Sequence, residues 1–324
     1  MIFEKAIINM YKGMAYTRCD DNGTAFYFSA DDFPGLTNEP YNFTASAGHR
    51  LKGYIYKYSS PIDGRLVVFD HGFGGGHRSY MKEIEMLCRH GYAVLAYDHT
   101  GCMESEGATP NGMAQSLCDL NDCISAIKSD QRFAGMDISV VGHSWGGFST
   151  LNISALHPEI SHIVVLSGFV SVELLVNTFF SGLLKFYRKP IMELEKNANP
   201  RYVEFNAVSS LADTNSKVLL IYSDNDPMCR RLHYDLLKSA LDSKENIRFM
   251  LVSNKGHNPN YTEDAVRYLG EYVSTKNRLM RQKKLSTDEQ KAEFLSSFDW
   301  NRMTAQDEIV WREIFDCLDC ATDK

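Results

Sequence analysis

The chain has 324 residues, 44% hydrophobic and 23% charged, with a formal net charge of −7. That length and composition suit one folded unit with a real core and exclude disorder on a large scale. The acidic balance excludes general nucleic-acid affinity, which needs clustered Lys and Arg to displace counterions from phosphates.

The opening stretch, MIFEKAIINMYKGMAYTR, is interrupted early by Glu4 and Lys5 and leads into no cleavage-site pattern, so it does not read as a signal peptide. Residues 51–58 mix apolar and polar side chains and predict an early, half-exposed antiparallel strand. Short runs rich in β-branched or aromatic residues follow at 65–69 (RLVVF), 92–97, 138–141 (ISVV), 162–166, 218–222 and 247–252. Runs apolar on both faces suit a mainly parallel sheet covered on each side. Between them, Leu117, Leu120, Ile124 and Ile127 recur at helical spacing, and 80–90, 148–157, 232–241 and 262–281 read similarly. The alternation predicts an α/β fold of βαβ units.

The stretch 169–213, rich in Phe, Tyr and Leu, breaks this rhythm and reads as a helical cap inserted above the sheet. The expected organisation is a core of 1–168 and 214–283, the cap at 169–213, and a C-terminal helical extension at 284–324. Cations at Lys276, Arg278, Arg281, Lys283 and Lys284 fit a helix end, where the dipole favours them. Ser286 with Glu289, and Thr304 with Asp307, match the start signal of a capped helix. The second of these helices carries Val310, Trp311, Ile314, Phe315 and Leu318 along one side, expected to pack on the main body, with a dimer contact as the alternative.

No stretch reaches the roughly 18 apolar residues of a membrane span. The best candidate, 172–186, is broken by Glu173, Asn177, Ser181 and Lys185. Eight cysteines without a secretory pattern read as reduced thiols in the cytoplasm. Cys317 and Cys320 have C-x-x-C spacing, but no second pair or nearby His completes a zinc site, and they read as buried or incidental thiols. The expectation is therefore no metal, no organic cofactor, no nucleic acid and no integral membrane contact; a homo-oligomer stays open.

Gly142-His143-Ser144-Trp145-Gly146-Gly147 directly follows the strand ISVV and precedes a helical run. Gly-x-Ser-x-Gly needs that context, because so sharp a strand-to-helix turn leaves no room for bulky flanking side chains. Ser144 would then project at a helix N-terminus, where backbone N–H groups favour developing negative charge. A serine hydroxyl is a weak nucleophile and needs a base within hydrogen-bond reach.

Of ten histidines, His257 is the candidate base, since it falls just after the strand IRFMLV and before the last helix of the sheet. His143 sits within the elbow, badly placed to aim at its neighbour, while His71 and His99 follow strand ends and read as loop braces. The base needs a carboxylate to fix its tautomer. The run 218–222 leads into Ser223-Asp224-Asn225-Asp226-Pro227, which makes Asp226 the candidate, with Asp224 in reserve.

Donors for an oxyanion are expected from the backbone N–H groups of Phe73, in His71-Gly72-Phe73-Gly74-Gly75-Gly76, and of Trp145. A phosphate cradle fails on detail, for neither Gly-Lys-Ser/Thr nor Gly-x-Gly-x-x-Gly is present there.

His71-Gly72-Phe73-Gly74, Asp98-x-x-Gly101-x-x-x-Ser105-x-Gly107, Gly142-x-Ser144-x-Gly146-Gly147, Asp226 and His257 occur in that order. Together they resemble the serine aminopeptidase/monoacylglycerol-lipase-like branch of the α/β hydrolases, over roughly residues 40–275. The resemblance implies the α/β-hydrolase fold, an acyl-serine intermediate and a helical cap. The chain departs from the pattern at Met103, where a second glycine is usual, and at Cys102, in place of the usual His or similar residue.

In the cap, Phe169, Phe179, Phe180, Leu183, Leu184 and Phe186, with Tyr187, either line an apolar pocket or glue cap to sheet. The reading that follows is a serine hydrolase acting on a small carboxylic ester with an apolar acyl or aromatic group. Amides, thioesters, N-terminal peptide bonds and acyl transfer use the same triad and stay open, as does a catalytically idle ligand-binding protein on this fold.

Overall fold

The structure is a computed structural model, and it describes residues 2–321. Helix α1 (Ile2–Ala15) precedes strands β1 (Thr37–Thr44) and β2 (Arg50–Lys57). Strands and helices then alternate: β3 (Arg65–Asp70), α2 (Met81–Arg89), β4 (Ala93–Tyr97), α3 (Gln115–Ser129), β5 (Asp137–His143), α4 (Trp145–Asn152) and β6 (His162–Leu166). Three helices, α5 (Val172–Phe179), α6 (Arg188–Ala198) and α7 (Ala207–Ala212), interrupt the rhythm where the cap was expected. It resumes with β7 (Lys217–Ser223), α8 (Arg231–Leu241), β8 (Ile247–Val252) and α9 (Glu263–Arg281), before α10 (Asp288–Ser296), α11 (Trp300–Met303) and α12 (Glu308–Leu318).

The strands form one eight-stranded sheet in the order β1-β2-β4-β3-β5-β6-β7-β8. β1 and β2 pair antiparallel, as do β2 and β4, and every pairing from β4 to β8 is parallel. This is the α/β-hydrolase arrangement that the motifs implied. In β3, Leu66 and Val68 enter one apolar cluster while Val67 and Phe69 enter the other, so the strand is buried on both faces. Alternating burial on two faces explains why the central strands read as unbroken apolar runs.

Two elements gave no clear signal. β1 carries Pro40, Asn38 and Asn42, which a central strand would not tolerate, but it lies at the sheet edge, where a missing N–H costs little. α1 precedes the sheet entirely.

The expected helix starts near the C-terminus move by one to three residues. Thr287, not Ser286, caps α10, its hydroxyl accepting from Gln290 N–H while the Gln290 side chain reaches back. Asp307 itself caps α12, accepting from the amides of Ile309 and Val310, and Thr304 instead ends α11. A charged carboxylate suits the positive end of a helix better than a hydroxyl does. Val310, Trp311, Ile314 and Leu318 of α12 are buried against the sheet, and Phe315 stacks on His90 with centroids 3.8 Å apart.

The parallel register decides where chemistry can gather. Asp70 pairs with Gly142, His143 with Leu166, and Ser223 with Val252, so β3, β5, β6, β7 and β8 all end at one rim. Loops leaving carboxyl ends of parallel strands share one edge, the usual place for a ligand crevice in open α/β sheets.

Candidate active site

Ser144 sits between β5 and α4 with φ 56° and ψ −107°, a conformation that L-residues adopt only under constraint. The constraint is visible. A Cβ at Gly146 would lie 2.1 Å from the Asp70 carbonyl oxygen, and one at Gly142 would lie 2.1 Å from Thr150 Oγ1. The Ser144 amide donates to the Leu166 carbonyl at 2.9 Å, and Gly146 N–H donates to that of His71 at 3.1 Å. Both flanking glycines are thus spatial necessities, and the elbow is pinned to β3 and β6.

The structure brings Ser144, His257 and Asp226 together. Ser144 Oγ lies 2.8 Å from His257 Nε2, and His257 Nδ1 lies 2.8 Å from Asp226 Oδ2. The other carboxylate oxygen, Oδ1, accepts from Met228 N–H at 2.7 Å and Cys229 N–H at 3.0 Å. Burial pushes the Asp226 carboxyl up, but the hydrogen bond and charge of His257 outweigh it and hold the group below its usual range.

Asp224, the reserve acid, is exposed and accepts from Asn254 N–H at 3.1 Å, which shapes the loop carrying His257 without touching the ring. Asn225 does likewise by accepting from Gly256 N–H at 2.8 Å.

His143 does not face its neighbour's hydroxyl. Its Nε2 donates to the His257 carbonyl at 2.7 Å and its Nδ1 accepts from Tyr80 O–H at 2.8 Å, while Tyr80 Oη accepts from Gly72 N–H at 3.0 Å. Burial, and then the neighbouring His257, lower His143 to about 3, so it stays the neutral imidazole this relay requires. The relay joins the loop carrying His257 to the glycine-rich loop.

Phe73 stands beside the elbow, its ring 4.9 Å from that of Trp145. Trp145 opens α4, so its N–H is among the first-turn donors that no carbonyl within the helix can satisfy. Beneath them His71 bridges its own loop and the next: Nδ1 donates to the Gly72 carbonyl at 2.8 Å and Nε2 accepts from His99 N–H at 3.0 Å.

His99 lies between Asp70 at 3.0 Å and Asp119 at 3.2 Å. Burial alone would lower it, but the two carboxylates prevail and raise it to about 10, leaving a buried imidazolium below the elbow. Asp70 also accepts from Tyr97 at 2.8 Å and from the hydroxyl of Ser149. His71 and His99 brace loops, as their positions at strand ends suggest.

A pocket of about 80 Å³ opens beside Ser144. From the segment 169–213 it is lined by Phe169, Leu175, Val176, Phe179 and Phe180. Leu183 and Phe186 instead point to solvent, 87% and 72% exposed, so the aromatic crowd divides between pocket wall and surface. Met113, Met228 and Cys229 complete the wall, as do Tyr11 and Met14 of α1. None of these stands in a motif, and only their apolar character could have pointed to them.

Among the described residues, Asp226, Cys229 and His257 are the group whose ligand atoms lie within 4.8 Å of one another. Burial raises the Cys229 thiol well above its usual range, and Asp226 and His257 are engaged with each other, which makes this a poor metal site. The eight cysteines are free thiols; Cys317 is buried and Cys320 exposed. No helix among the described residues is long and apolar enough to cross a membrane.

The family model described as serine aminopeptidase, S33, matches residues 63–251, more than half of the chain. Among curated proteins, a putative carbamate hydrolase, RutD, of Serratia proteamaculans is 29% identical over 109 residues, 33% of this chain and 39% of that protein. The 2-hydroxy-6-oxo-6-(2'-aminophenyl)hexa-2,4-dienoic acid hydrolase of Metapseudomonas resinovorans is 32% identical over 122 residues, 36% of this chain and 39% of its own length. The chain thus spans about two fifths of the length of these relatives. Among solved structures, the Pyrococcus furiosus esterase Pf2001 superposes with a TM-score of 0.58 at 18% identity, over 82% of this chain and 99% of that one.

Proposed function

We propose, from the premise that the chain belongs to the serine aminopeptidase S33 family, that it is a serine hydrolase cleaving small carboxylic esters with an apolar acyl or aromatic group. The observation that carries this is the continuous path from Ser144 Oγ to His257 to Asp226, with both steps at 2.8 Å.

Ser144 attacks the ester carbonyl as its proton passes to His257 Nε2. Asp226 holds the Nδ1–H tautomer and offsets the imidazolium charge. The amides of Phe73 and Trp145 receive the oxyanion, and His257 returns the proton to the departing alkoxide. Water, its proton taken by His257, then attacks the acyl-Ser144 ester, and His257 returns that proton to Ser144 Oγ as the acid leaves.

The pocket supports an ester with an apolar acyl part over an aminopeptidase substrate. A free α-ammonium needs a carboxylate to receive it, and among the described residues no Asp or Glu lines the pocket that holds Ser144. The nearby Glu195 is buried and engaged by Tyr11, Tyr16 and the Met113 amide.

A panel of p-nitrophenyl esters set against aminoacyl-anilides tests the reading. Short to medium esters are expected to turn over fastest, with activity lost in Ser144→Ala. A wide preference for anilides would make the protein a peptidase instead, and full activity in Ser144→Ala would remove the serine mechanism.

A further inference from the structure

We infer that helix α1 is a wall of the substrate pocket and that Met14 sets the length of acyl chain it admits. The inference rests on the reading of Ser144 as nucleophile and adds the determinant of its substrate range. α1 precedes the residues matched by the family model, so the match itself says nothing of this helix. Tyr11 and Met14, one helical turn apart, line the same pocket as Ser144, together with Leu175, Val176 and Phe179 of α5. The Tyr11 ring is buried and meets Phe180 edge-on, with centroids 6.1 Å apart.

The wall is fixed in place by a buried carboxylate. Glu195 of α6 accepts from Tyr11 O–H at 2.7 Å and Tyr16 O–H at 3.1 Å through Oε1, and from Met113 N–H at 2.7 Å through Oε2. The Met113 carbonyl in turn accepts from the Trp145 indole at 2.7 Å. One chain of hydrogen bonds thus registers α1 against the residue that follows the nucleophile. A carboxyl with no exposed surface is costly to keep, and this one is spent on holding α1 over the pocket.

Met14 is 48% exposed and so stands at the pocket rim, where its unbranched side chain can bound a ligand without belonging to the core. Each methylene that a ligand buries or fails to bury changes its affinity about fourfold. The residue at the rim should therefore decide where the profile turns down.

The test compares wild type, Met14→Ala, Met14→Trp and Met10→Ala, the last on the same helix but outside the pocket lining. In one arm kcat/KM is measured along p-nitrophenyl acetate to decanoate. In the other, straight-chain carboxylates of the same lengths are titrated into the Ser144→Ala forms by calorimetry, which needs no turnover. The long-to-short ratio should rise about fourfold or more in Met14→Ala, fall as much in Met14→Trp, and hold in Met10→Ala. Ratios unmoved by both Met14 variants in the binding arm would overturn the wall. Absence of ester turnover in wild type would overturn the hydrolase reading alone, leaving the calorimetry to decide for or against Met14.

Discussion

Around Ser144 the side chains are held by directed hydrogen bonds, whereas the pocket beside it is shaped by apolar packing. At the rim, Asp226, His257, His143, Tyr80 and Gly72 each meet a partner at 2.7–3.0 Å. In the pocket, Leu175, Val176, Phe179 and Met14 offer only shape. Hydrogen bonds demand particular atoms at particular angles, so few residue types serve at the rim. Dispersion contacts are non-directional, so many residues of similar volume serve in the pocket. The first region should therefore be brittle to substitution and the second tolerant.

The sharpest break is expected from Asp226→Asn, which keeps the shape of the acid but presents the wrong tautomer to His257. Its kcat should fall about 10⁴-fold, read with the best ester of the panel. A loss under tenfold would show that Asp226 is not the orienting acid.

Glu83 probes the rim through pH. It is buried, accepts from Asn260 Nδ2 at 3.0 Å in the loop after His257, and burial raises its carboxyl to about 7 against an ordinary value of 4.5. Between those values the folded chain holds a proton that the unfolded chain has released. Folding stability should therefore fall as pH rises through that window, by on the order of 3 kcal/mol at most. Glu83→Gln cannot titrate, so urea titrations across the window should show a flatter stability profile than wild type. An unchanged slope would mean that the carboxyl is not held protonated.

His143→Ala removes the donor to the His257 carbonyl. A drop of about tenfold to 100-fold in kcat is expected, with KM little changed, because base geometry rather than the pocket is lost. A shift confined to KM would place His143 on the substrate side instead. The smallest effect is expected in the pocket, where Leu175→Met should cost under about 1.5 kcal/mol by denaturant titration and leave the best ester's kcat within a few-fold. A collapse of activity there would erase the contrast between the two regions.

The same contrast explains what could be read from the sequence. Gly142 and Gly146 are required by contacts with Thr150 and Asp70, so the elbow is written as a motif. The strands β3 to β7 are buried on both faces and therefore appear as apolar runs. Asp226 and His257 are found because they follow strands that end at the same rim.

The walls are another matter. Tyr11 and Met14 come from a helix before the sheet, and their part in the pocket depends on how α1 docks on α6, which no spacing encodes. Lys255, two residues before His257, bonds Asp307 at 2.6 Å, so the start of α12 also reaches the loop carrying His257 through a contact distant in the chain. Both segments lie outside the family match, and each is joined to the site through a buried polar side chain, Glu195 or Lys255.

Peptide mass mapping after acid quench, during turnover of a p-nitrophenyl ester, tests the central claim most directly. The account predicts the acyl mass on the peptide containing Ser144, and its disappearance together with turnover in Ser144→Ala. Turnover that persists in that variant, or an acyl group carried on another residue, would contradict it.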